Sequence, residues 1–374
     1  MISPAMNPIP LGNPGPAWKD NWRETQQRFA RWWRREGLLV GMWGSPRRAG
    51  PPREDLPPTP PPATLRDRYC SAAYRTAENH RYLAGNAFPA EIFPLAAVDL
   101  GPGSLALWCG SEPGFTEDTV WFHSCIEDVP EPERLPPLRF DPAHPWWRVT
   151  EDLIRAGVER GRGRYLVGCP DLIENLDTLS SLRGGQTVCL DLIERPAWVR
   201  AKIDEINQVW FEAYQRIYDL IRTYDGWSAF NAFYVLGPGK TAKLQCDSSA
   251  MLSPAMFREF VVPGLTEQCE WLDCSLYHLD GTQAMGHLDA LMGIEALDAI
   301  EWTPQAGLEG GGHPRWYDLY RRILAGGKCV QVVGIEPAEV PPLLDAIGRD
   351  GVYLLVNFRT ESEVHDLLRQ IGPY

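Results

Sequence analysis

The stretch Ser275-Leu-Tyr-His-Leu-Asp280 is a short apolar, β-prone run that ends on two side chains able to bind a metal ion or move a proton. His278 and Asp280 are two residues apart. On a strand they point to one face, while Tyr277 points to the other and packs. Gly281 follows, and a helical pattern begins. Residues of this kind at a strand end, before a turn, mark where an α/β protein carries its chemistry. The plain alternatives are a hydrogen-bonded core histidine and an aspartate that turns the chain. Because both residues share a face, the joint functional reading outweighs that of either alone.

The elements that must position this pair have a clear rhythm from about residue 145 onward. Residues 145–160, 172–182, 196–222, 254–271, 282–292, 314–324, 337–347 and 361–371 read as helices. Residues 165–168, 227–231, 242–246, 276–279, 299–302, 329–334 and 352–356 read as strands. Such alternation implies parallel βαβ units. With an apolar strand at 38–43 and one more in the 95–124 region, it predicts a (β/α)8 TIM barrel. An open doubly wound sheet is the alternative. No glycine-rich phosphate fingerprint follows a strand, which disfavours a dinucleotide fold. Leu236-Gly-Pro-Gly-Lys-Thr241 is a poor phosphate loop, since Tyr234 stands where the opening glycine belongs.

The first part of the chain is irregular. Residues 1–36 read as an arm followed by an amphipathic helix over 18–36, and 37–374 as a single barrel domain. Residues 44–62 form an insertion with eight prolines and few apolar residues. Residues 64–83 are helical in pattern, 87–108 read as loop, and 128–145 as another proline-rich connection.

In a barrel the chemistry sits at the C-terminal strand ends. Those ends supply His278, Asp280 and Asp247 as candidate catalytic groups. Asp171, Asn175, Ser248, Trp302, Gln305 and Asn357 are candidate substrate contacts. His278, Asp280, Glu336 and Glu301 form a candidate metal set of oxygen and nitrogen donors. A funnel this rich in carboxylates suits a metal ion or a cationic substrate better than a polyanion. Asp171 and Asp247 have a plainer reading as helix caps.

Composition narrows the function classes. The 374 residues are 44% hydrophobic and 23% charged, ordinary for a globular chain. The net charge of −13 argues against a nucleic-acid partner. No apolar run reaches the ~18–20 residues of a membrane span. The N-terminal residues lack the order of a signal peptide, so a cytoplasmic location is expected. The nine cysteines are scattered, without a CxxC pair, and read as free thiols.

Several motifs occur in order and resemble the uroporphyrinogen decarboxylase superfamily. They are Met251-Leu-Ser-Pro-Ala-Met-Phe-Arg-Glu-Phe-Val-Val-Pro263, the preceding Gln245-Cys-Asp247, His278-Leu-Asp-Gly281, and Gly293-Ile-Glu-Ala-Leu-Asp-Ala-Ile-Glu-Trp302. Leu182-Arg-Gly184, Asp191-Leu and Arg195-Pro-Ala-Trp-Val199 add to them, and the 35–43 segment resembles the first barrel strand. The resemblance implies a (β/α)8 barrel, often a homodimer, with one of two chemistries. One is cofactor-independent decarboxylation. The other is methyl transfer involving a corrinoid protein, with zinc on a His-x-Cys pair and a later cysteine.

This chain has His278-x-Asp280 in place of His-x-Cys, and Asn357-Phe358 near the place of the later cysteine. The arginine-rich first strand end of the decarboxylases is also absent, replaced by Met42-Trp43-Gly44-Ser45-Pro46. The leading expectation is a methyltransferase that demethylates a small substrate toward a corrinoid protein, with zinc on oxygen and nitrogen donors. The alternatives are a metal-free decarboxylase or lyase, and a barrel that binds a ligand without catalysis.

Overall fold

A computed structural model describes residues 13–374. The start of the N-terminal arm, residues 1–12, lies outside the described residues. Twelve strands follow in chain order: β1 Leu38–Gly41, β2 Leu95–Ala96, β3 Glu112–Phe115, β4 Val120–His123, β5 Leu166–Val167, β6 Trp227–Phe230, β7 Val235–Pro238, β8 Thr241–Gln245, β9 Cys274–Asp280, β10 Ala299–Thr303, β11 Cys329–Ile335 and β12 Val352–Val356. Six of them form one sheet in the order β1-β12-β11-β10-β9-β8. Every pairing in it is parallel. Its strands are continuous apolar runs such as Val352-Tyr-Leu-Leu-Val356, buried throughout, as a parallel sheet covered on both faces requires.

Contacts continue beyond both edges of this sheet in chain order. Past β1, the Glu91 amide donates to the Val40 carbonyl at 3.0 Å. Next, β2 pairs with β5 in parallel. Cys169, just after β5, exchanges backbone hydrogen bonds with the end of β6, to Ala229 O at 2.7 Å and from Asn231 N at 3.0 Å. The hairpin β6–β7 then leads into β8, and the Thr241 amide donates to Ser228 Oγ at 3.3 Å. This succession is consistent with a barrel-like α/β fold.

The register of the six strands stacks one layer of inward side chains. Gln245 lies opposite His278, His278 opposite Glu301, Glu301 opposite Gln331, Gln331 opposite Tyr353 and Tyr353 opposite Leu39. Polar residues in the middle of apolar strands find partners there: His278 bonds Glu301, while Gln331 and Tyr353 donate to the Phe233 and Tyr234 carbonyls.

Several expected elements are cut differently. The helix expected over 254–271 is two helices, Pro254–Phe260 and Val262–Trp271. Pro263 has no amide to donate and crowds the carbonyl four residues back, so the helix restarts there. The helix expected over 64–83 breaks at Ser71, whose extended backbone and Oγ cap a new helix, Ala72–Ala84. A helix over Gly185–Glu194 was not expected, because Gly184 at φ 84 separates it from the one before. The 236–241 segment is no phosphate loop. It holds β7 and a turn at Gly239, φ 75, where the Asp273 carboxylate accepts from the Lys240 amide at 2.8 Å. The strand expected in the 95–124 region is β2, which pairs with β5, and an unexpected hairpin, β3–β4, follows it.

One buried carboxylate ties β1 to distant chain segments. Glu91 is fully buried, accepts from the Val40 amide at 2.9 Å and from Tyr374 Oη at 3.0 Å, and pairs with Arg28 at 2.8 Å. Removing one member of such a group strands the others in a dry interior. Glu91→Ala is therefore expected to destabilise the protein by about 3–5 kcal/mol, read as a fall in the urea midpoint.

Candidate active site

The strand ends β8, β9 and β10 bring the site together. Ligand atoms of Asp247, His278 and Asp280 all lie within 4.8 Å of one another. Beside them opens a cavity of about 430 Å³ lined by Trp43, Phe233, His278, Asp280, Thr303, Val333, Gly334, Leu355 and Asn357.

His278 is aimed by Glu301. Its Nδ1 is hydrogen-bonded to Glu301 Oε2, and Thr303 Oγ1 donates to the other carboxylate oxygen at 2.8 Å. Glu301 is fully buried, and burial pushes its carboxyl up. Burial alone would depress the His278 imidazolium, but the charge and hydrogen bond of Glu301 outweigh it and the group is raised. The pair therefore holds a proton between them. With Nδ1 engaged, Nε2 is the nitrogen free for the cavity and the two aspartates.

Asp247 is fixed from two sides. Gln245 Nε2 donates to its carboxylate at 2.8 Å. The buried Asp177 carboxylate accepts from the backbone amides of Asp247 at 2.7 Å and Ser248 at 2.8 Å. Burial, then the charge of Asp247, pushes Asp177 up to about 6. Behind this lies Lys243, fully buried, paired with Asp171 at 2.6 Å and donating to Gln245 Oε1.

Phe233 closes the inner wall, with its ring centroid 4.5 Å from that of His278. It sits there through unusual backbone: Phe233 has φ 61 and its neighbour Tyr234 φ 49, both in the left-handed region. Such residues cost about 1–3 kcal/mol each and persist when their surroundings over-determine them. Here Gln331 Nε2 donates to the Phe233 carbonyl at 2.8 Å and Tyr353 Oη to the Tyr234 carbonyl at 3.0 Å. Both donors come from the inward layer that also carries His278.

The remaining sequence candidates fall in three places. Asn357 lines the cavity, and Ser248 sits beside the trio with its Oγ 3.2 Å from Ser180 Oγ. Gln305 is exposed and accepts from Thr282 Oγ1 at 2.7 Å, while Asp171 serves Lys243 rather than capping a helix. Three are corrected. Trp302 is fully buried against Trp316, because its position on β10 turns it away from the Glu301 face, so it packs rather than touching a substrate. Asn175 is fully buried between helices and accepts from Gln268 Nε2 at 3.4 Å. Glu336 is exposed, forms a capping box with Glu339, accepts from Asn357 at 2.9 Å and does not join the trio.

Sequence reasoning missed Lys243, Phe233 and Asp177. Lys243 and Gln245 share one face of an otherwise apolar strand, a period-two signal that was there to read. Phe233 follows the end of β6, where the strand-end rule applies equally. Asp177 lies inside a helix, Asn175–Arg183, and carries no local signal.

The fold defines a parallel α/β protein of barrel-like architecture with a polar cluster at the C-terminal strand ends. Neither a protein-family model nor a curated protein matches the chain. Among solved structures the chain is similar to a methyltransferase from Methanosarcina mazei, with 11% identity, 92% of this chain and 97% of that chain covered, and a TM-score of 0.59. At that identity the likeness is one of fold. No helix of the described residues is long and apolar enough to cross a membrane.

A raised carboxyl favours the folded state only when protonated. The contribution of Asp177 is fully present below its ordinary value of 3.8 and is lost as pH rises through about 6. In urea unfolding across a pH series, the stability of the native protein relative to Asp177→Asn is expected to fall between about pH 4 and 6 and to level off above about 7.

Proposed function

We propose that the protein is a metal-assisted methyltransferase of the uroporphyrinogen decarboxylase superfamily, built as a closed (β/α)8 barrel over residues 37–374 behind an N-terminal arm. It removes a methyl group from a small substrate and passes it to a corrinoid carried by a partner protein. The observation that carries this reading is the convergence of Asp247, His278 and Asp280, with Glu301 behind the histidine. A carboxylate that orients a histidine toward a cluster of donors is the usual outer support of a metal ligand. The shared fold of a Methanosarcina mazei methyltransferase is compatible with it. A homodimer in the cytoplasm belongs to the same reading.

The donor set fits a divalent ion such as zinc, bound by one imidazole and two carboxylates. It contains no thiolate, since Cys246 is buried beside Asp177 and away from the trio. When bound, zinc would act as a Lewis acid or lower the pKa of an attacking group. The chain does the rest. Glu301 fixes the His278 tautomer, Asp177 and Gln245 hold Asp247, and Phe233 keeps water from the inner wall. The cavity admits a small molecule.

A second reading has one observation in its favour. The raised His278–Glu301 pair is a buried proton store, which a metal-free decarboxylase or lyase needs. Metal analysis of untagged protein separates the two. About one zinc per chain, lost in His278→Ala with the fold retained by circular dichroism, supports the first reading; activity that persists in chelator with no bound metal sinks it. Glu301→Gln is expected to lower metal affinity by about 10–100-fold, as loss of an orienting partner does, measured by competition with a chromogenic chelator.

A further inference from the structure

The outer wall of the cavity has features that metal binding does not use. Trp43, at the end of β1, is 55% exposed, although it stands at the mouth of an otherwise organised site. Its ring meets Phe233 edge to face, with centroids 4.9 Å apart and planes at 82°, and Tyr234 lies 6.2 Å away. An exposed indole alone means little, but this one lines the cavity beside His278 and Asp280 and presents its ring to whatever enters. The apolar remainder of the lining comes from Val333 and Leu355.

Apart from His278, the charge in the cavity lining is that of Asp280, and the buried Lys243 Nζ lies 5.9 Å from the Phe233 ring centroid. No lysine or arginine lines the cavity. Lys243, behind it, is fully buried and neutralised by Asp171. Asp280 lines the cavity, and the Asp247 carboxylate lies within 4.8 Å of it. Asp247 and Asp280 together offset the two charges of a divalent ion, so the loaded site holds no net positive charge that would repel a cation. The indole of Trp43 beside a carboxylate, with no lysine or arginine in the lining, selects a bulky, weakly hydrated cation over an anion or a neutral ether.

We propose that the methylated substrate is a quaternary methylammonium compound, held with its methyl groups against Trp43 and Phe233 and its charge facing Asp280. This rests on the methyl-transfer reading for the fate of the methyl group, although binding of the cation does not depend on it. In the transfer the C–N bond breaks with its electron pair left on nitrogen. The electron pair of the reduced corrinoid acceptor forms the new bond to carbon. A neutral tertiary amine remains, which the rings and carboxylates hold less tightly, so release follows from the chemistry.

The test is calorimetric titration of the full-length protein, metal-loaded and metal-free, with choline, its neutral isostere 3,3-dimethylbutan-1-ol, and benzoate. Choline is expected to bind about tenfold or more tighter than the isostere. Trp43→Ala is expected to weaken choline by about tenfold and Trp43→Phe by less, with unchanged thermal unfolding because the side chain is exposed. Equal binding of the isostere, tighter binding of benzoate, or Trp43→Ala binding choline like the native protein would each overturn the proposal. Cation binding without methyl delivery to a corrinoid would sink the methyl-transfer reading alone. Methyl delivery with no preference for the cation would sink this proposal alone.

Discussion

The hydrogen bond between His278 and Glu301 is the constraint on which the site depends. Both groups sit on the inward face of adjacent parallel strands, directly opposite each other in the register, and Glu301 has no access to water. A charge in that position must be paired, and pairing fixes the histidine ring. Everything at the mouth is placed relative to that ring. Asp280 follows two residues later on the same face, and Asp247 reaches it from the end of β8.

The same inward layer also supports backbone that the chain would not adopt unaided. Gln331 and Tyr353 accept no part in the chemistry, yet each holds one carbonyl of the left-handed Phe233–Tyr234 pair. Two consecutive non-glycine residues in that region are unfavourable locally. Fully buried donors in the sheet interior make them favourable globally, and the outcome is an aromatic ring tilted against the imidazole, with centroids 4.5 Å apart. Strain stored beside a polar cluster is what a preorganised site looks like.

Charge is arranged with equal economy. The one buried lysine of the layer is cancelled by Asp171 and turned to the service of Gln245, which in turn holds Asp247. Asp177 spends its two oxygens on backbone amides of the loop rather than on a ligand. The carboxylates left at the cavity are therefore those without a fixed cationic partner. That asymmetry makes the site receptive to positive charge.

Much of this was legible in the residues alone. The alternation of apolar runs and amphipathic segments determined the parallel α/β class, because strand and helix periods leave distinct marks on a sequence. The period of two determined that His278 and Asp280 share a face and that Tyr277 and Trp302 do not share it with His278 and Glu301. Which strand ends meet was not legible. Asp247 and Glu336 look alike in the chain, but long-range pairing sets Asp247 beside His278 and leaves Glu336 to cap a helix. The pairing of Lys243 with Asp171, the reach of Asp177 to the 247–248 amides and the strained turn at Phe233 all join segments far apart in sequence. Local propensity carries no record of such contacts. They exist because packing brings these segments together, and a buried polar group must then find its partners among the neighbours the fold supplies.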